Sequence, residues 1–314
     1  MQKIYYGAPG TGKSFAIKEY LENKGIEDEY IFRVTFHPEF TYNDFIGQLL
    51  PTVEKNGNDE STITYGFEKG VFTLALEKAY QDTSKEVYLV IEEMSRGNCA
   101  SIFGDIFQLL DRENSGVEKG YSRYFINNPV IAKDIIALSG DRIKLPANLS
   151  ILGTVNTSDQ NVFVMDTAFK RRFEWEYIST KPVPTTKPYK NNVNIKLNNG
   201  TEMIGINWVD MYGVLNKYIS SDQWLALGED KQIGQFFIEF DDERNEEKIN
   251  EKIKNKLLHY LWFDIQLACY KTDVKLFDET ISNFSDLYDR FEADEKIFSD
   301  DFFTCIEAWK NNSL

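Results

Sequence analysis

The sequence predicts an α/β protein built on a doubly wound parallel sheet and followed by a smaller α-helical domain. Three observations carry that expectation. Short apolar runs alternate with helix-period stretches through the first 180 residues. Val87-Tyr88-Leu89-Val90-Ile91 is an unbroken apolar run of the kind needed by a strand buried on both faces. From Trp208 onward the apolar spacing becomes helical. At 314 residues, 42% hydrophobic and 27% charged, the chain is long enough for one large or two modest domains, and its composition is globular.

Strands are placed near residues 3 to 7, 30 to 36, 87 to 93, 151 to 156 and 174 to 178. Helical stretches begin near Gly12, Gly70, Asn98 and Phe163. A boundary is expected after the last strand. Pro182, Pro184 and Pro188 lead there into Asn191, Asn192, Asn194, Asn198, Asn199 and Gly200, a density that describes a linker or an exposed hairpin over residues 181 to 204. That leaves an α/β core over 1 to 180 and a helical domain over 205 to 314. In the latter, Ile249, Ile253, Leu257, Leu261 and Ile265 form one apolar stripe. The acidic run from Glu239 to Glu251 reads as a solvated surface and helix start.

Charge and cysteine usage exclude several functions. Thirty-five basic against fifty acidic side chains give a net charge of −15 without a long basic stripe, so the chain does not hold DNA by bulk electrostatics. His37, His259, Cys99, Cys269 and Cys305 form no zinc-ligand spacing and no disulfide framework. Lys3 is followed by Ile4, Tyr5 and Tyr6 with no leader pattern, and no run reaches the roughly 18 apolar residues of a membrane span. A cytoplasmic protein without membrane partners is expected.

One motif dominates: Gly7-Ala8-Pro9-Gly10-Thr11-Gly12-Lys13-Ser14, the G-x-x-x-x-G-K-[ST] pattern of the phosphate-binding P-loop. Glycines let the backbone turn successive N–H groups towards phosphate oxygens, and the following helix presents its positive end to the same anion. Lys13 reaches the terminal phosphates, and the Ser14 hydroxyl is placed for Mg²⁺. Gly7, Pro9, Gly10, Thr11 and Gly12 complete the cradle. A neighbouring acidic strand tip is needed, and Glu92 and Glu93 end the apolar run from Val87. Glu92 is expected in the Mg²⁺ shell, through water, and Glu93 as the group that orients or deprotonates the attacking water. The alternative is a solvated acidic pair.

Ser150-Ile151-Leu152-Gly153-Thr154 ends in Val155-Asn156-Thr157-Ser158-Asp159, where Asn156 is either a sensor of the γ-phosphate or part of a capping turn. Asp166 to Phe173 carries Lys170, Arg171 and Arg172. Such arginines either pair with carboxylates of their own subunit, or one of them reaches the next subunit's nucleotide as an arginine finger.

These pieces, in this order, resemble the AAA+ NTPases. Phe36-His37-Pro38-Glu39-Phe40-Thr41-Tyr42-Asn43-Asp44-Phe45-Ile46-Gly47, Glu92-Glu93-Met94-Ser95-Arg96-Gly97-Asn98, Gly153-Thr154-Val155-Asn156-Thr157-Ser158-Asp159 and Asp166 to Phe173 together are similar to the McrB family, the motor subunits of McrBC-type modification-dependent restriction systems. The likeness spans residues 1 to about 178 and continues weakly through Gly205-Ile206-Asn207 and Gln232-Ile233-Gly234-Gln235-Phe236-Phe237 into a lid.

The resemblance implies an AAA+ core with a helical lid, a homo-oligomeric and hexameric ring, GTP or ATP as substrate with Mg²⁺, and an McrC-like nuclease partner. It also implies translocation on DNA, contacted through the partner or the ring pore. It carries Lys13 and Ser14 over as phosphate and metal residues, Glu92 and Glu93 as metal and water residues, and Asn156 and Asp159 as the family's Asn-x-x-Asp signature. Arg96 matches the arginine after the acidic pair, and Arg171 or Arg172 the finger. The family usually has Asp where Glu92 stands, Asn where Ser95 stands and Met where Val155 stands. With the P-loop at residue 7, target recognition is expected from another polypeptide, or the system uses something other than DNA. Two further functions fit less closely: a nucleotide-gated scaffold with slow turnover, and a MoxR-like protein-remodelling ATPase, which the Arg96-Gly97-Asn98 context disfavours.

Overall fold

A computed structural model describes the chain apart from residues 56–60, 136–137, 139, 159–162, 184–190, 241–244, 270–272 and 312–314. The chain divides into two compact units. One comprises Met1–Tyr6 and Lys13–Tyr177; the other comprises Gly7–Gly12 and Ile178–Leu314.

In chain order the first unit contains β1 (Gln2–Gly7, whose last residue clusters with the second unit), α1 (Lys13–Asn23), β2 (Ile31–Thr35), α2 (Tyr42–Ile46), β3 (Gly47–Lys55) and β4 (Ser61–Lys69). It continues through α3 (Val71–Gln81), β5 (Val87–Glu92), α4 (Cys99–Phe103), β6 (Ile126–Asn127), α5 (Pro129–Asp134) and β7 (Arg142–Ile143) to β8 (Leu149–Asn156), α6 (Thr167–Lys170) and β9 (Glu174–Tyr177). Five strands form one sheet in the order β2-β5-β8-β1-β9. The β2–β5, β5–β8 and β1–β9 pairs are parallel, as the buried apolar runs predict. Val87 to Ile91 are fully buried, and each such side chain contributes about 1.5–3 kcal/mol of apolar burial. Central strands therefore present their polar C-terminal ends at one edge of the sheet, where Glu92 and Asn156 emerge.

Local chemistry sets the helix starts. Thr41 and Asp44 close a capping box on α2, while Asn98 and Asp166 accept backbone N–H groups at the heads of α4 and α6. The helix expected from Phe163 begins only at Thr167, where the Asp166 cap holds it. Arg112 is a half-buried structural hub that donates to Gln2 Oε1 and to the carbonyls of Gly120, Leu145, Pro146 and Leu149; desolvation of its guanidinium lowers its pKa to about 10.

The β3–β4 hairpin was not foreseen. It pairs Leu49 with Phe67, Pro51 with Tyr65 and Val53 with Ile63, which gives one apolar face; the opposite face carries the Thr52–Thr64 hydroxyl pair. Leu49, Val53, Ile63 and Tyr65 are exposed.

The second unit begins its regular structure with the antiparallel hairpin β10 (Asn194–Asn198) and β11 (Met203–Asn207), followed by α7 (Trp208–Ser220), α8 (Glu246–Lys252), α9 (Phe284–Glu292) and α10 (Asp300–Lys310). Ile195, Leu197 and Ile206 of the hairpin are buried in the same apolar core as Trp208, Leu215 and Phe302. After α8 the chain continues through π-helical turns at Ile253–Leu258 and Leu261–Ile265. Their cause is legible in the stripe. Apolar residues spaced strictly by four drift about 40° per step on an ideal α-helix, and wider turns keep Ile253, Leu257, Leu261 and Ile265 all in the core. Among the described residues, no helix is long and apolar enough to cross a membrane.

Candidate functional site

The site is best built from the acidic tip of β5. Glu92, its last residue, accepts hydrogen bonds from Ser14 Oγ at 2.8 Å and Thr154 Oγ1 at 2.7 Å, and pairs with Arg33 Nη1 at 3.2 Å. Strand register explains the gathering. Thr35 lies opposite Glu92 on β2, which places Arg33 two residues back on the same face, and Ile91 lies opposite Gly153 on β8, one residue before Thr154.

Glu93 then leaves the strand in the left-handed region, at φ 53° and ψ 43°. For a non-glycine residue that conformation costs about 1–2 kcal/mol. Thr154 compensates by accepting the Glu93 N–H on its Oγ1 at 3.0 Å. The turn aims the Glu93 carboxylate at Asn156, whose Nδ2 donates to both oxygens at 3.0 and 2.9 Å, and at Arg96 Nε at 3.1 Å. Non-glycine residues held in this region concentrate where function demands a fixed geometry.

Lys13 and Ser14 open α1; Lys13 is buried and Ser14 exposed. The preceding loop belongs to the second unit. There Gly10 and Gly12 adopt φ of 75° and 90°, and Thr11 Oγ1 donates to the Ala8 carbonyl at 2.9 Å. Conversion of either glycine to a side-chain residue would strain the turn.

Arg171 and Arg172 have different surroundings. The Arg172 side chain is only 9% exposed; it pairs with Asp111 at 2.6 Å, donates to the Ala168 carbonyl at 2.7 Å and lies 3.9 Å over the Phe107 ring. Arg171 is exposed and lines a cavity of about 720 Å³ with Tyr6, Ser95, Asn156, Lys170 and Trp175. Asp159 lies outside the described residues.

The oxygen donors at this strand tip suit a divalent cation. A Ser hydroxyl hydrogen-bonded to a carboxylate is a hard-oxygen pair that fits Mg²⁺, an ion that keeps much of its coordination for water and phosphate. Among the described residues, no cluster of three or more His, Cys, Asp or Glu side chains could hold a metal by itself. Ser14 and Glu92, an adjacent pair of oxygen donors, could hold Mg²⁺ together with a triphosphate.

Sequence reasoning brought Ser14, Glu92, Glu93, Asn156 and Arg96 into one account, and the fold places them within a continuous hydrogen-bonded set. It missed Thr154 and Arg33. Both depend on cross-strand register, which one strand's sequence does not reveal. His37 is exposed with its ring edge against Phe40, and Cys99 is buried with its thiol on the Met94 carbonyl and its pKa raised by burial to about 12. Neither reaches the set.

Residues 4–173 match the AAA domain (dynein-related subfamily). Over 321 aligned residues, covering 95% of this chain and 88% of the relative, the chain is 34% identical to the type II restriction enzyme BsuMI component YdiS of Bacillus subtilis (strain 168). It is 26% identical over 190 residues to the type IV methyl-directed restriction enzyme EcoKMcrB subunit of Escherichia coli (strain K12), covering 60% of this chain and 37% of that protein. With the P-loop sequence, the parallel sheet and the acidic strand tip already in place, the chain belongs to the dynein-related AAA family and is a McrB-like P-loop NTPase.

Proposed function

We propose that this chain is the ring-forming motor subunit of a restriction complex in the cytoplasm, hydrolysing GTP or ATP with Mg²⁺ and driving DNA translocation or a partner nuclease of McrC-like kind. The observation that carries the reading is the Glu93 carboxylate held between Asn156 and Arg96, one residue from the Ser14–Glu92 pair. In the same reading residues 1 to 180 are the nucleotide-binding core, 205 to 314 the lid, and 181 to 204 the linker or hairpin between them. The likeness to a restriction-enzyme component over nearly the whole chain supports the assignment to a restriction system.

In the reaction, water attacks the γ-phosphorus while Glu93 accepts its proton, the bond from that phosphorus to the β,γ-bridging oxygen breaks, and the nucleoside diphosphate and inorganic phosphate leave; a positioned base is worth about 10²–10⁴-fold in such a step. Asn156 orients Glu93 and the water. Bound Mg²⁺ would neutralise charge shared by the β- and γ-phosphate oxygens, next to Ser14 and Glu92. Lys13 supplies a fixed positive charge to the terminal phosphates. Arg171 of an adjacent subunit is the better candidate for the finger, because Arg172 is already committed to Asp111. Change at the γ-phosphate alters the hydrogen bonds of Asn156 and so biases the ring between two arrangements.

A nucleotide-gated scaffold is the second reading. It is favoured by the hydrogen bonding of Glu92, which Arg33, Ser14 and Thr154 all engage. Turnover of GTP and of ATP by the purified chain, alone and with an McrC-like partner and DNA, separates the two. Hydrolysis that depends on Glu93 supports the motor; binding with assembly but equal, negligible turnover in wild type and Glu93→Gln supports the scaffold. A strict monomer with every nucleotide would remove the ring from the account.

A further inference from the structure

Within the second unit, a short strap lies backbone to backbone on the phosphate loop. Gly234 N–H donates to the Pro9 carbonyl and Phe236 N–H to the Gly10 carbonyl, both at 2.8 Å. The fit leaves no room for a side chain on either partner. A Cβ on Gly234 would overlap the Gly10 carbonyl and stand 2.5 Å from Thr11 Cα; one on Gly10 would overlap the Phe237 nitrogen and stand 2.5 Å from Phe237 Cα.

The strap is itself fastened to the C-terminal core. Asn216 of α7 brackets Ile233, accepting its N–H at 2.8 Å and donating to its carbonyl at 2.7 Å. Trp208 Nε1 and Asn191 Nδ2 both donate to the Gln235 carbonyl at 2.7 Å. Asn216 and Gln235 are buried. Four side-chain bonds therefore hold the two residues flanking Gly234, a density that a simple surface connection does not need.

Peptide geometry gives this contact a consequence. In a planar trans peptide the C=O and the N–H of the following residue point in opposite directions. Pinning the Pro9 carbonyl fixes the aim of the Gly10 N–H, and pinning the Gly10 carbonyl fixes that of the Thr11 N–H. Those amides lie in the stretch of the loop whose N–H groups receive phosphate oxygens.

We infer that the strap Ile233–Phe237 is a positioning element of the nucleotide site: it aims the Gly10 and Thr11 amides at the phosphates, and it carries occupancy of the loop to α7 through Asn216. This rests on the proposed nucleotide chemistry and deepens it, since it names the route by which the site reports to the C-terminal core. Gly234 and Asn216 act through the loop and touch no phosphate.

Hydrogen exchange of the full chain, with and without Mg²⁺ and the slowly hydrolysed analogues GTPγS and ATPγS, reads the two amides directly. Gly234 and Phe236 are expected to slow at least fivefold with a bound analogue. Gly234→Ala should raise the KM for triphosphate at least tenfold, with a lowered melting temperature from the crowded strap but far-ultraviolet circular dichroism near wild type; kcat at saturation should fall much less. Asn216→Ala should shift KM in the same direction by a smaller factor, and it serves if Gly234→Ala does not fold. Analogue binding that protects the start of α1 but leaves Gly234 and Phe236 unchanged would overturn the inference, as would an unaltered KM in a folded Gly234→Ala or Asn216→Ala protein. If wild type binds neither analogue, the nucleotide chemistry itself fails.

Discussion

Asn156 donates from one amide nitrogen to both carboxylate oxygens of Glu93, at 3.0 and 2.9 Å, from the end of the strand adjacent to the one that Glu93 follows. The amide thereby fixes the orientation of a carboxylate whose own backbone is held left-handed. Glu93→Gln is expected to lower triphosphate turnover by about 10²–10⁴-fold while retaining binding, since it removes the proton acceptor and keeps the shape. Asn156→Ala should lose roughly a tenth to a hundredth of that factor, because the base stays and only its aim is lost. Steady-state turnover with parallel nucleotide titration checks both; full activity in Glu93→Gln would take this carboxylate out of the chemistry.

Arg33 sits on Glu92 at 3.2 Å, a cation on the carboxylate expected to face the metal. Both side chains are partly exposed, so the pair contributes little to stability, of the order of 1 kcal/mol or less. Its effect falls instead on metal affinity. Arg33→Ala should lower the Mg²⁺ concentration needed for half-maximal analogue binding by a few fold, with the melting temperature nearly unchanged. A higher Mg²⁺ requirement in the variant would mean that Arg33 supports the metal site and does not compete with it.

The two neighbouring arginines should separate cleanly. Arg172→Ala removes a largely buried partner of Asp111 and is expected to cost about 3 kcal/mol of folding stability, read by denaturant unfolding. Arg171→Ala should leave stability within about 0.5 kcal/mol, as for other exposed substitutions, and lower turnover by up to about 10³-fold. Mixing experiments locate the action. Subunits of Arg171→Ala and Glu93→Gln, each inactive alone, should regain part of the activity when combined, and no recovery would place Arg171 outside any shared site.

Burial raises the Cys99 thiol to about 12 and that of Cys305 to about 11. A raised folded-state value means both thiols stay protonated through neutral pH, and the stability tied to them is lost only as pH rises from the ordinary thiol range near 8.5 towards those values. At pH 8 neither should react with a thiol reagent in the native chain, whereas both react after unfolding. Mass mapping of the alkylated sites checks this, and rapid native modification of Cys99 would contradict the buried environment after the acidic strand.

The parallel sheet was legible because a strand buried on both faces has to be apolar throughout, and Val87 to Ile91 has no other reading. The P-loop was legible because two glycines, a lysine and a serine at fixed offsets encode backbone shape and charge together. What escaped was relational. Thr154 and Arg33 reach Glu92 only because neighbouring strands align in a particular register. The left-handed turn at Glu93 carries no glycine to announce it. The β3–β4 hairpin keeps Leu49, Val53, Ile63 and Tyr65 exposed, so a search for buried patterns passes over it. The reading of residues 181 to 204 as a linker or an exposed hairpin followed from proline and asparagine density; a hairpin is present at β10–β11, and that density could not register that Ile195 and Leu197 alternate inward to join the C-terminal core. Asp159 lies outside the described residues, so the second half of the Asn-x-x-Asp signature has no geometry to set beside Asn156.

Isothermal titration of the purified chain with GTP and with ATP in the presence of Mg²⁺ addresses the central claim most directly. Saturable binding of at least one of them, weakened tenfold or more by Lys13→Ala, is the expected result. Absence of measurable binding to both, with the partner subunit present as well as absent, would contradict the account from the phosphate loop upward.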